Sequence, residues 1–137
     1  MKTDTRIKDL MRSFIIASEL GQQFKDAGET YRVFNYAPNI DPTKEYIVIS
    51  VLTGQNGQFQ TNVLNVNIYV PDINDGSGKK VQNVSRIRTL SDLANDALNE
   101  VIAGEYRFRL RKMPIFKVAD FKQHAINCSI FFEILNP

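Results

Sequence analysis

Two stretches of strict alternation constrain this chain more than any other feature. Between 63 and 70, Leu64, Val66, Ile68 and Val70 fall in one register and Val63, Asn65, Asn67 and Tyr69 in the other. Between 125 and 134, Ile126, Cys128, Ile130, Phe132 and Ile134 alternate with Ala125, Asn127, Ser129, Phe131 and Glu133. Successive side chains of a strand point to opposite faces, so each stretch predicts a strand with one apolar and one mixed face. An Asn-Gly step at Asn56-Gly57 precedes the first stretch and signals a hairpin, which requires antiparallel pairing.

Other segments fill in around these strands. Ile7, Leu10, Met11, Phe14 and Ile15 recur at helical spacing from Thr5 to Leu20, with Thr3, Asp4 or Thr5 as caps and Gly21 as a left-handed stop. Tyr31 to Tyr36 predicts a short strand ending at Ala37-Pro38. Tyr46 to Leu52, apolar except at Ser50, predicts a central strand covered on both faces. Asp72 to Lys80, with Gly76-Ser77-Gly78, predicts a mobile loop. A second helical stripe runs through Val84, Ile87, Leu90, Ala94, Ala97, Leu98 and Val101, with Thr89 or Ser91 as an internal cap and Gly104 as its stop. Tyr106, Phe108 and Leu110 then alternate with Arg107, Arg109 and Arg111, and Ile115 to Val118 resumes an extended path after Pro114.

The expected fold is α+β: a single, mostly antiparallel sheet of about five strands with two helices, in the order α-β-β-β-α-β-β. Two helices cover only part of such a sheet, so one face is left over. The expected core holds Leu10, Phe14, Val48, Leu64, Val66, Ile68, Leu98, Val101, Phe108, Ile130 and Phe132. With 137 residues, 43% of them hydrophobic, residues 1–137 suit one domain without disulfides or metal. No apolar run approaches the ~18–20 residues of a membrane span, and Met1-Lys2-Thr3-Asp4 lacks the apolar stretch of a secretory signal, so a cytoplasmic start is expected.

Catalytic and metal chemistry find little footing. One Cys and one His exclude a Cys/His zinc site. Cys128 and His124 lie four residues apart on one strand, about 13 Å, too far for a nucleophile–base hydrogen bond. Cys128 reads as a core residue and His124 as a rim hydrogen-bonder. Gly76-Ser77-Gly78-Lys79-Lys80 lies where a phosphate-cradling loop would lie, but Ile73 and Lys80 occupy the places of its first Gly and its magnesium-binding hydroxyl. Asp72 and Asp75 are closely spaced acids on a loop, a poor frame for acid/base work. The expectation is a non-enzyme with no catalytic, cofactor or metal residues.

The basic row Arg107, Arg109 and Arg111, followed by Lys112 and Lys117, bears three readings. It is a solvated face with a cross-strand partner such as Glu133, a protein contact, or a phosphate-binding row. The net charge of only +2 and the absence of stacking aromatics from the same strand face weigh against nucleic acid.

Taken together, several segments resemble the tail terminator or tail completion proteins of long-tailed bacteriophages, also described as minor capsid or head–tail joining proteins. After an N-terminal helix come the short aromatic strand Val33-Phe34-Asn35-Tyr36-Ala37-Pro38 and the Tyr-plus-aliphatic strand Glu45-Tyr46-Ile47-Val48-Ile49-Ser50. An alternating strand from Val63 to Val70, a loop with Gly and Asp, a helix ending in Leu98-Asn99-Glu100, and a last strand from His124 to Ile134 follow. The pattern spans nearly the whole chain. It departs from the family at Asn65, Asn67 and Tyr69, where a Trp or an acid is frequent, and in the length of the Asp72–Lys80 loop.

The resemblance implies a structural protein of a phage or prophage tail. It would close into a ring, commonly a hexamer, cap the tail tube at its head-proximal end, and meet the tail tube protein and the head connector. It would work in the host cytoplasm during assembly and then in the virion tail, with no cofactor, membrane or small-molecule substrate. Expected interface residues are Arg107, Arg109, Arg111, Lys112, Asn65, Asn67, Tyr69, Asp72, Asp75, Lys79 and Lys80. The alternatives are a nucleic-acid-binding module using the arginine row and a small-ligand or regulatory binding domain.

Overall fold

The structure, a computed structural model, describes residues 4–26, 28, 30–35, 41–55, 59–119 and 121–135. The first amphipathic segment forms α1 (Asp4–Ala17) and then breaks. Ser18 turns extended, its Oγ donating to the Ile15 carbonyl at 2.6 Å and accepting from the Gly21 amide, and so caps a second short helix, α2 (Glu19–Gln22). Gly21 is therefore not a left-handed stop. It lies buried within α2, where an added Cβ would stand 2.1 Å from the Ile15 carbonyl oxygen.

The remaining elements are β1 (Val33–Phe34), β2 (Tyr46–Gln55), β3 (Phe59–Pro71), β4 (Ile73–Asn74), β5 (Lys80–Val81), α3 (Val84–Leu98), β6 (Glu100–Ala103), β7 (Tyr106–Lys112), β8 (Ile115–Val118) and β9 (Gln123–Leu135). Seven strands make one sheet in the order β1-β2-β3-β9-β7-β6, with β8 also on β9. β1 runs parallel to β2 and every other pair is antiparallel. β4 and β5 form a separate hairpin.

The expected single sheet of about five strands with two helices is thus corrected, among the described residues, to a mixed seven-stranded sheet, a second small sheet and three helices. Three local features account for the difference. Ser18 splits the first helix. The stretch expected to be a loop pairs Ile73 with Val81 and Asn74 with Lys80 around a turn in which the Asp75 carboxylate accepts from the Ser77 amide and hydroxyl. The second helix, capped by Asn83 rather than by Thr89 or Ser91, stops at Leu98. Residues read as its tail become β6, with Gly104 (φ 59°) in the tight turn to β7. Val101 fits the helical stripe because it follows Leu98 by three, but it lies in β6 opposite Phe108.

All three helices supply one buried cluster, which takes Ile47, Ile49, Leu64, Val66, Ile68, Val70, Phe108, Ile126, Cys128, Ile130, Phe132 and Ile134 from a single face of the sheet. Seven of the expected core residues (Leu64, Val66, Ile68, Leu98, Phe108, Ile130 and Phe132) are in it, and Leu10, Phe14 and Val101 pack partly buried against it. Val48 is not. It faces the other side with Ser50, opposite Asn67 and Asn65, so β2 is covered on one face only. β2 is also next to the short edge strand; the centre belongs to β3 and β9. A β-bulge between Val51 and Thr53 leaves Leu52 as the extra residue, 59% exposed. No helix among the described residues is long and apolar enough to cross a membrane.

Candidate functional site

The face of the sheet that takes no part in the core carries most of the expected interface residues, in rows set by the strand register. Val48, Asn67 and Asn127 form one row; Ser50, Asn65, Ser129 and Lys112 the next; Phe131 and Arg109 a third; Thr61, Glu133, Arg107 and Ile102 a fourth. At its centre Asn127 Nδ2 donates to Asn67 Oδ1 at 2.6 Å and to Asn65 Oδ1 at 3.1 Å. Asn65 and Asn67 thus converge on a third amide that the sequence named only as part of an alternation. Alternation puts Asn127 on the polar register of its strand, but only the pairing of β3 with β9 sets it opposite Asn67.

Tyr69 stacks on Tyr46 with ring centroids 4.6 Å apart and planes 14° from parallel. Burial pushes the Tyr69 phenol above its ordinary value, against a smaller lowering by Asn67. The neighbouring Tyr46 hydroxyl accepts from Gln123 Nε2 at 3.2 Å.

At the other end the arginine row departs from expectation. Arg107 and Arg109 share the open face, but a bulge between Leu110 and Lys112 removes Arg111 from it, and Lys112 takes the place opposite Ser129. One extra residue reverses the alternation, which the sequence could not signal. Arg107 is the cross-strand partner of Glu133, Nε to Oε1 at 3.1 Å and Nη2 to Oε2 at 3.4 Å. Arg109 lies over the Phe131 ring, Cζ 5.5 Å from its centroid. An aromatic is therefore present on this face after all, supplied by the adjacent strand. Glu100, Ile102, Arg107, Arg109, Phe131 and Glu133 enclose a shallow cleft of about 310 Å³, and Ile102, on the edge strand, is 74% exposed.

Asp72, Asp75, Lys79 and Lys80 lie elsewhere. The rows of Glu133 and His124 lie nine positions apart along β9, about 30 Å at the strand rise. Asp72 is buried, not part of a loose loop: its amide donates to the Lys122 carbonyl at 2.9 Å and its Oδ1 lies 2.6 Å from His124 Nδ1. His124 is indeed a hydrogen-bonding residue at the strand's start. Asp75 is spent on the Ser77 turn, which holds its carboxyl below the ordinary carboxylate range. Lys79 and Lys80 are exposed. The eleven expected residues therefore divide into an open-face group and a hairpin group, with Arg111 in neither.

Cys128 is buried within the core, and desolvation pushes its thiol up to about 12, so thiolate chemistry is closed to it in the folded state. Among the described residues no three His, Cys, Asp or Glu side chains come together as a metal site. The Asn56-Gly57 turn lies outside the described residues. Comparison with family models and with curated proteins finds no match to this chain.

Proposed function

We propose that this chain is a structural subunit of a phage or prophage tail. It closes into a ring, commonly a hexamer, that caps the tail tube at its head-proximal end and presents a surface to the head connector. The observation that carries the reading is the exposed Ile102, an aliphatic side chain on an edge strand, framed by Arg107, Arg109, Phe131 and Glu133. An apolar anchor within a charged and aromatic rim is the usual anatomy of a protein contact. The arginines there already have partners, Glu133 and the Phe131 ring, which favours a protein contact over phosphate binding at this face.

Light scattering across a wide concentration range, with and without purified tail tubes, tests the proposal. A defined ring, or capping of tube ends, that is lost in Ile102→Asp supports it. A monomer that neither associates nor caps tubes defeats it. Replacing Arg107 and Arg109 with Gln separates the nucleic-acid alternative, because a protein holding six to ten phosphates loses about 10³–10⁵ in affinity between 50 and 200 mM salt. DNA binding that vanishes in this variant, with association intact, would promote the alternative.

A further inference from the structure

Four lysines come together at the end of the sheet opposite Ile102. Lys79 and Lys80 from the β4–β5 hairpin, Lys117 from β8 and Lys122 from the turn before β9 line one open cleft of about 550 Å³, together with Asp72 and Phe121. Lys80, Lys122, Phe121 and Asp72 also line an adjoining cleft of about 390 Å³ against Pro42 and Pro71, so the two run into each other. Among the described residues none of the four lysines has an ion-pair partner. The one acid lining either cleft among the described residues is Asp72, whose Oδ1 lies 2.6 Å from His124 Nδ1. Asp75, on the same hairpin, is engaged by Ser77.

Four lysines on one cleft outnumber the carboxylates of Asp72 and Asp75, and an anion that spans them offsets their mutual repulsion. Lysine is a compact point charge suited to phosphate oxygens. Phe121 adds a second element: it lines both clefts and is 51% exposed. A positive groove with an aromatic platform is the arrangement that binds single-stranded nucleic acid, with phosphates following the cations and a base stacked on the ring. The continuity of the two clefts favours a strand over a single nucleotide. No sequence motif announces this, because the lysines come from three separate segments.

We propose that the Lys79, Lys80, Lys117 and Lys122 cleft holds a single nucleic-acid strand by its phosphates, with Phe121 as a stacking platform.

Fluorescence anisotropy of a labelled oligothymidylate across a salt series tests this. Four phosphate contacts predict a slope of log affinity against log salt of about −3, at about −0.7 per contact. Single Lys→Gln variants should each reduce the slope by about 0.7, and the quadruple variant should abolish binding while its urea unfolding midpoint stays near that of the parent. Phe121→Ala should weaken binding about fivefold or more without changing the slope. Arg107→Gln/Arg109→Gln, at the far end of the sheet, should bind as the parent does. The proposal is overturned if oligothymidylate does not bind, if binding survives the quadruple variant, or if the distant arginine variant removes it. It is equally overturned if thymidine monophosphate or polyglutamate competes as well as the strand does, or if duplex DNA binds as tightly and Phe121→Ala has no effect.

Discussion

Phe132 should be among the most costly side chains to remove. It is fully buried, and its ring stacks on Phe108 (centroids 5.8 Å apart, planes at 7°) and on Tyr106 (5.4 Å, 13°). Burying a Phe ring takes about 150–250 Å² from water, an upper bound of about 4–6 kcal/mol at ~25 cal/mol per Å². Alanine keeps part of that contact, and measured Phe→Ala losses in cores run about 3–5 kcal/mol. Two ring–ring contacts, each about 0.5–1.5 kcal/mol, place Phe132→Ala in the upper half of that range. Phe131 is the natural control, since it is the next residue on the strand and faces the opposite way. Its half-buried ring and its contact with Arg109 are worth about 1–2 kcal/mol together. Urea titration of both variants at constant slope gives the two losses directly. If Phe131→Ala costs as much as Phe132→Ala, β9 is paired one residue out of register and every face assignment made above is inverted.

Gly21→Ala should destabilise by about 3 kcal/mol or more, since its Cβ would meet the main chain at Ile15 and Ile16, which cannot yield like a side chain; an unchanged melting temperature would refute the close approach. Cys128 should resist thiol reagents in the native protein and react only on unfolding. Because its pKa is raised on folding from 9.0 to about 12, the stability it contributes is complete below pH 9 and falls as pH rises from there towards 12, so rapid native labelling at pH 8 would contradict the burial. Arg86 grips Glu45 with two bonds at 2.8 and 2.9 Å, tying α3 to the start of β2, and its guanidinium is pushed up by the Glu45 hydrogen bonds. A double-mutant cycle of Arg86→Ala and Glu45→Ala should show a coupling of about 1 kcal/mol, and none at all would mean the pair is solvent-separated. Asn62 is buried with neither amide atom bonded, so Asn62→Leu should raise stability by about 1 kcal/mol in thermal unfolding; a loss would show that the amide has a partner.

The long strands were legible because alternation is a direct imprint of a one-sided sheet: that Leu64 and Val66 share one face of their strand, and Ile130 and Cys128 one face of theirs, needed nothing beyond period two. What alternation does not carry is any break in itself. The bulges at Leu52 and Arg111 each insert one residue, so side chains that count as one row in sequence leave it in space. β6 was hidden because Val101 satisfies a helical period and a strand period at once, and only its pairing with Phe108 decides. The Asp72–Lys80 stretch looked like a loop because its two strands are two residues each, too short for a pattern. On the open face the individual residues Arg107, Asn65, Asn67 and Tyr69 were visible, whereas their partners Glu133, Asn127 and Tyr46 depend on strands far apart in the chain. Only Glu133 could be guessed, from charge.

β9 pairs with β3 on one side and with β7 and β8 on the other, and Asn65 and Asn127, neighbours across that seam, are 62 positions apart in the chain. Without residues 123–135 the sheet falls into β1-β2-β3, β7-β6 and a lone β8, and β3 is a bare thirteen-residue edge whose apolar register points at an unfinished core. Closing so long a span before any contact rewards it makes folding slow relative to helical proteins of this size. During synthesis the chain must therefore wait, with its β2–β3 hairpin unsealed and prone to pair with other chains, until the joining strand has left the ribosome.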